Sequence, residues 1–263
     1  ERSTILNKNG DIINSIDRAL DILILLYYEQ KELGVTEIAK NLGLHKSTVH
    51  RTLSTLENKG FVQQNFENGK YWLGMKIYAL GMLVGEKMPL KHIIRPYSKE
   101  LFEKFHEVVN VSVLDKTSQN YPRTILILKE ESPEQILRVN PIVGSSSESH
   151  YSAVGKCLLA FSPKKVLDKF KAQDLPIYTK NTISNWDDLL KELEDVRSKG
   201  YAIDNEELEI GLTCVAAPIV DKENNVIAAM SISGPTSRIR SEKFESIVNE
   251  VKNTAWKISN LLK

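Results

Sequence analysis

Apolar residues recur at helical spacing close to the start of the chain. Ile16, Ala19, Leu20, Leu23 and Ile24 follow an i, i+3, i+4, i+7, i+8 pattern, which predicts one apolar helix face reaching about Gln30. Ser15 occupies the expected N-cap position, and Asp17 sits in the first turn where the helix dipole favours an anion. A shorter helix is predicted from an N-cap at Thr36 through Leu42, stopped by Gly43. A third runs from about His45 to Lys59 and closes at Gly60. Two helices joined by a tight glycine turn follow the helix-turn-helix plan. Residues 61–65 and 71–73 then read as strands around Asn68-Gly69, a strong hairpin signal. Three helices and a hairpin make a winged helix-turn-helix.

The pattern changes after residue 73. Residues 74–87 are apolar and dotted with glycine, with Ile77, Leu80, Gly81 and Val84 on one side of a predicted connecting helix that Met88-Pro89 ends. Residues 90–107 read as helical, with Pro96 marking a break or a restart. Strands are predicted at 109–114, 124–128, 135–139, 201–203, 213–220 and 226–233. Helices are predicted at 152–161, 163–170, 186–199 and 242–262. Strands and helices do not alternate as regular βαβ units, so the expected fold class is α+β with an antiparallel sheet. The expected organisation is a winged helix over 1–73, a linker helix over 74–88 and a second domain over 89–263.

The 263 residues carry a net charge of +1, which by itself argues against nucleic acid. By segment the picture differs. Residues 1–39 carry −3, residues 40–80 carry +4, and the remainder is neutral. The positive share falls on the turn, the third helix and the hairpin, and a binding surface needs local field rather than whole-chain charge. On the third helix Val49, Leu53 and Leu56 form the core stripe. Ser47, Arg51 and Ser54 lie opposite, flanked by Thr48 and His50, with Lys46 near the helix start. Such a face can donate to phosphates and base edges, and arginine pairs bidentately with guanine. Lys70 near the hairpin tip is placed to meet a phosphate. The candidate DNA-binding residues are therefore Thr36, Lys46, Ser47, Thr48, His50, Arg51, Ser54 and Lys70, with a solvated polar face as the competing explanation.

Two cysteines 57 residues apart form neither a disulfide framework nor a zinc-ligand spacing. The longest aliphatic run, residues 22–26, is far below the roughly 20 residues of a membrane span. No apolar leader is visible, and the expected compartment is the cytoplasm. Gly155-Lys156 lacks the spacing of a phosphate-binding loop. His150, Cys157 and Cys214 offer no compact metal-ligand spacing, so no metal or cofactor is expected. In the second domain residues 144–150 read as a flexible polar loop before a helix whose first amides, near Ser152 and Ala153, suit an anion. Asp204, Glu206, Cys214, Ser231 and Ser233 lie on or beside predicted strands, with Ser231 and Ser233 on one face. Together they predict a concave polar pocket able to hold a carboxylate and hydroxyls, which suits a small hydroxy- or keto-acid, with an aromatic acid as the alternative. Small polar residues are also ordinary strand fillers, and buried cysteine is usually inert.

Several motifs in order give the chain a family resemblance: residues 15–23, residues 38–53, residues 71–74 and His150-Tyr151-Ser152-Ala153-Val154-Gly155-Lys156. Residues 197–204, Glu206-Glu207, residues 211–218 and residues 231–235 continue the series. They resemble the isocitrate lyase regulator (IclR) family of bacterial transcription factors, over about residues 14–262. The resemblance implies a GAF-like C-terminal sheet flanked by helices, with an effector site at Ser152, Ala153, Asp204, Cys214, Ser231 and Ser233. It implies double-stranded operator DNA and a small carboxylate effector as partners, a homodimer or homotetramer, and repression as the more common mode. Two other readings stay open at this point: a Cys214/His150 enzyme carrying a winged-helix module, and a DNA-binding oligomer without a ligand.

Overall fold

The computed structural model describes residues 12–118, 121–132, 141–171 and 174–262. The chain divides into two compact units at Met88/Pro89.

The first unit contains α1 (Asn14–Glu29), α2 (Val35–Leu42), α3 (Lys46–Asn58), β1 (Val62–Gln64), β2 (Tyr71–Leu73) and α4 (Met75–Glu86). Its core is built on Ile22, Leu26, Ile38, Val49 and Leu53, all fully buried. Two predicted caps shift. α1 begins at Asn14 after Ile13, so Ser15 lies inside the helix. α2 begins at Val35 after Gly34, and the Glu37 carboxylate accepts from the Gly34 N–H (2.8 Å), so Thr36 is not the N-cap. The cap is made by the residue that reaches back rather than by a hydroxyl. Gly43, at φ 63°, makes the left-handed turn between α2 and α3 that most side chains resist. The hairpin pairs Val62 with Leu73 and Gln64 with Tyr71. Its loop spans residues 65–70, closed by an Asn65 N–H to Lys70 carbonyl bond (2.8 Å), and is longer than a two-residue Asn-Gly turn.

Only part of the apolar surface of this unit is buried within the chain. Ile22 and Leu26 face the core, with Ala19 and Leu23 packed beside them. Ile16 and Leu20, in the predicted apolar row, are 54% and 52% exposed. α4 buries no residue, and its Leu83 and Val84 are 62% and 64% exposed.

The second unit opens with α5 (Pro89–Phe105), which continues through Pro96 rather than breaking there. Then come β3 (Val108–Asp115), β4 (Arg123–Glu130), β5 (Ser146–Glu148), α6 (Ala153–Ala160), α7 (Lys164–Asp168), α8 (Trp186–Lys199), β6 (Ala202–Asn205), β7 (Leu212–Val220), β8 (Val226–Pro235), α9 (Thr236–Ile239) and α10 (Phe244–Leu261). The predicted strand at 135–139 lies outside the described residues. The strands form one antiparallel sheet in the order β5-β4-β3-β8-β7-β6. α5 and α10 cover one face; α6 packs on the other, with α8 behind it. Residues 144–150 are not simply a loop. Ser146–Glu148 pair with β4, and Arg123 holds this edge through Ser146 Oγ (2.8 Å) and the Glu148 carboxylate (2.6 Å). Among the described residues no helix is long and apolar enough to cross a membrane.

Candidate functional site

The first unit presents α3 as its exposed polar helix. Lys46, Ser47, His50 and Arg51 are exposed, whereas Thr48 and Ser54 are half-buried. The Ser54 hydroxyl donates to the His50 carbonyl (3.0 Å), so its oxygen is left to act as an acceptor. A groove of about 590 Å³ between α1 and α3 brings Ser15 and Arg18 alongside Thr48 and Arg51. The proximity of Arg18 to Arg51 depends on how α1 crosses α3 and has no local sequence signal. Thr36 is exposed in the first turn of α2. Lys70 is not free at a tip: its ammonium lies 3.3 Å from the Glu37 carboxylate. The Gly34 N–H and then Lys70 hold Glu37 below the usual carboxylate range. The hairpin loop is fixed further by Glu32, which accepts from the Asn65 and Asn68 side chains (2.8–3.1 Å).

The second unit holds a partly open cavity of about 80 Å³ between the sheet and the start of α6. Strand register explains its polar lining. Asp204 lies opposite Cys214 and Cys214 opposite Ser233, while Ser231 lies opposite Asn110. Period-2 alternation puts Ser231 and Ser233 on one face with Asn110 and Ser112, toward α6. Ser152, Ala153, Asp204, Cys214, Ser231 and Ser233 all line the cavity. Asn110, Ser112, Ser147 and Tyr151 join them, unanticipated because their approach depends on which strands are neighbours. Glu206 does not line it. It takes a left-handed backbone (φ 61°) just after β6, and the next residue, Glu207, is the one whose side chain is buried.

The start of α6 supplies an anion-favouring end. The Ser152 hydroxyl accepts from the Gly155 N–H (3.1 Å), leaving the first amides, Ala153 and Val154, without helical partners. Gly155 permits this placement, since a Cβ there would collide with the Ser149 backbone. Asp204 closes the opposite side and accepts from the Glu207 N–H (2.8 Å). Burial pushes its carboxyl up to about 6. Glu207 in turn binds Lys156, whose side chain is 1% exposed and whose ammonium lies 2.6 Å from Glu207 and 3.1 Å from Glu192. Burial works against the Lys156 ammonium, and the two carboxylates outweigh it, raising its pKa. Burial also raises Glu207 above the ordinary carboxylate range.

The cysteines have no nucleophilic setting. Burial pushes the Cys157 thiol up to about 12, and its sulfur donates to the Ala216 carbonyl (3.3 Å). Burial likewise raises Cys214. His150 Nε2 lies 2.8 Å from the Pro176 carbonyl and the ring does not line the cavity, so no Cys214–His150 dyad is assembled. Among the described residues no group of His, Cys, Asp and Glu is arranged to hold a metal ion.

A winged helix-turn-helix followed by a helix-flanked sheet with a small polar cavity defines a DNA-binding regulator with a ligand-binding domain. Residues 15–65 match the IclR helix-turn-helix domain, and residues 82–260 match the bacterial transcriptional regulator IclR C-terminal domain. The chain belongs to the IclR family of transcriptional regulators. It is 33% identical to the HTH-type transcriptional regulator XynR of Escherichia coli over 252 residues, covering 95% of this chain and 98% of that one. It is 32% identical to the transcriptional repressor IclR of Escherichia coli over 232 residues, covering 88% and 83%. An IclR transcriptional regulator from Alicyclobacillus acidocaldarius superposes with a TM-score of 0.80 at 27% identity, covering 96% of this chain and 100% of that one. These relatives are regulators, and the chain is a regulator rather than an enzyme.

Proposed function

We propose that this protein is a cytoplasmic repressor that binds a near-palindromic operator as a homodimer and is controlled by a small organic acid in the α6 cavity. The observation that carries the ligand reading is the cavity itself, with helix-start amides at one side and buried acceptors at the other. An engineered apolar cavity of about 150 Å³ holds one benzene, so about 80 Å³ favours an acid of two to four carbons over an aromatic one. Repression is supported by the relatives that carry repressor names. Dimerisation is supported by the exposed apolar rows of α1 and α4, which a second copy would cover.

In this reading Ser47, His50 and Arg51 read base edges, while Thr36, Lys46, Thr48 and Ser54 meet the backbone or adjust to it. Lys70, paired with Glu37, contributes less. Two recognition helices would enter successive major grooves roughly 34 Å apart. The test is a thermal-shift screen of the full chain against small carboxylates, since a ligand of the folded state must stabilise it. A stabilising acid that also releases the operator supports the reading. No shift from any acid would leave a regulator that does not answer to this cavity.

A further inference from the structure

The hairpin of the first unit ends in an aromatic ring that the protein leaves in water. Phe66 is 97% exposed, more than any other large apolar side chain among the described residues. Single apolar residues on a surface are ordinary, and what sets this one apart is its mount. The Asn65 carbonyl accepts from the Gly69 N–H (2.8 Å), and the Asn65 side chain accepts from the Glu67 N–H (2.9 Å). The Asn68 side chain accepts from the Lys70 N–H (2.8 Å) and donates to Glu32 (2.8 Å). The loop is braced by its own polar groups, and the ring is held outward on it. Phe66 gains nothing inside the chain, so its burial is left to a partner.

The same bonds fix where the ring stands. Lys70 lies 3.3 Å from Glu37, in the first turn of α2, where Thr36 is exposed. The loop is therefore tied to the start of α2. In a helix-turn-helix the second helix lies in the major groove while the first crosses the phosphate backbone. An element beside the start of α2 meets the minor groove on the far side of that backbone. Charge does not draw it there, because Lys70 is the only basic residue of the loop and is paired, while Glu67 is exposed. What the loop offers is a ring. Apolar side chains, phenylalanine among them, enter the minor groove as wedges, unstack a base step and kink the duplex by roughly 20–90°. Pyrimidine–purine steps unstack most easily.

We infer that Phe66 is a specificity-determining residue that wedges into the minor groove beside the sequence read by α3 and selects operators with a flexible pyrimidine–purine step there. This rests on the reading of α3 as the operator-binding helix. It adds a sequence preference that no hydrogen bond to a base edge supplies.

The experiment takes as operator the tightest duplex that the wild-type full chain selects from a randomised library. Affinity is measured by fluorescence anisotropy, and bending by energy transfer between dyes at the duplex ends. The selected duplexes are expected to carry a TA or CA/TG step at a fixed distance outside the α3 contacts. Phe66→Ala should weaken operator binding by about tenfold and relax the bend, with binding to random duplex changed by less than about twofold. Phe66→Leu, which keeps an apolar wedge, should retain most of both. Changing the selected step to AA should weaken wild type by about tenfold and Phe66→Ala by about twofold or less. Glu67→Gln checks the placement: beside phosphates, loss of a like charge tightens binding by about twofold or more at low salt, and less at high salt. Phe66→Ala with wild-type affinity and bend, a step preference that survives it, or a Glu67→Gln variant without effect would overturn the inference and leave the operator reading intact. A wild-type protein that enriches no sequence would remove the operator reading and this inference with it.

Discussion

Lys156 is the most exacting test of how the second unit is built. Its side chain is 1% exposed, and the ammonium rests 2.6 Å from Glu207, whose side chain is 5% exposed, and 3.1 Å from Glu192, whose side chain is 31% exposed. At 2.6 Å and an effective dielectric near 20, the attraction to Glu207 is about 6 kcal/mol. Desolvation of two ions costs several kcal/mol each, so the pair as a whole contributes little net stability. Breaking it is another matter. Lys156→Met leaves Glu207 buried without a counter-ion, and the expected loss is about 3–5 kcal/mol. Glu192 adds less, because water can reach it. The double variant Lys156→Met/Glu207→Leu removes both charges and should recover most of that loss. Urea unfolding in a Trp72→Phe background reports on this unit alone through Trp186 and Trp256. A single-variant loss below about 1 kcal/mol, or a double variant no better than the single, would refute the buried-pair account. The single variant should also weaken the effector site, because the Glu207 N–H holds Asp204 (2.8 Å).

Three further outcomes are expected. Arg51→Ala should weaken specific operator binding by about 1–3 kcal/mol in a gel-shift titration; equal loss on random DNA would assign Arg51 to phosphate instead. Because burial raises Asp204 to about 6, a carboxylate ligand meets less repulsion once Asp204 takes up a proton. Effector affinity should therefore rise as pH falls from 7 to 5, by up to about tenfold per pH unit, and become flat in Asp204→Asn; an unchanged slope in that variant would reject the role. Leu20→Glu with Leu83→Glu should yield a folded monomer by analytical ultracentrifugation, since neither side chain is buried within the chain; a persisting dimer would place the interface elsewhere.

What the sequence made legible follows from periodicity. The helices were readable because residues such as Val49, Leu53 and Leu56 repeat the helical period, and β7 and β8 because each is a nearly continuous run of apolar and small residues. Caps were less readable. Thr36 looks like a cap by residue type, yet Glu37 reaches back to Gly34 and the helix starts earlier. Pro96 sits within α5. The short edge strand β5 has too few residues to show a period and is held by Arg123 instead. For the cavity, strand-borne residues could be placed on faces, which brought Ser231 and Ser233 together. Asn110 and Ser112 entered only through the order β3-β8-β7, a tertiary fact with no local signal. Glu206 and Glu207 are adjacent and chemically alike, and only the left-handed turn at Glu206 decides which one is buried.

The central claim is that operator DNA and a small acid in the α6 cavity alter each other's affinity. The most direct measurement is binding of fluorescent operator DNA by the full chain at fixed salt, with increasing concentrations of an acid that shifts its melting temperature. Acid affinity is then measured with and without operator. Linkage requires the two couplings to be equal, at the typical scale of about 1–3 kcal/mol. An acid that stabilises the protein while leaving operator affinity unchanged would contradict the account.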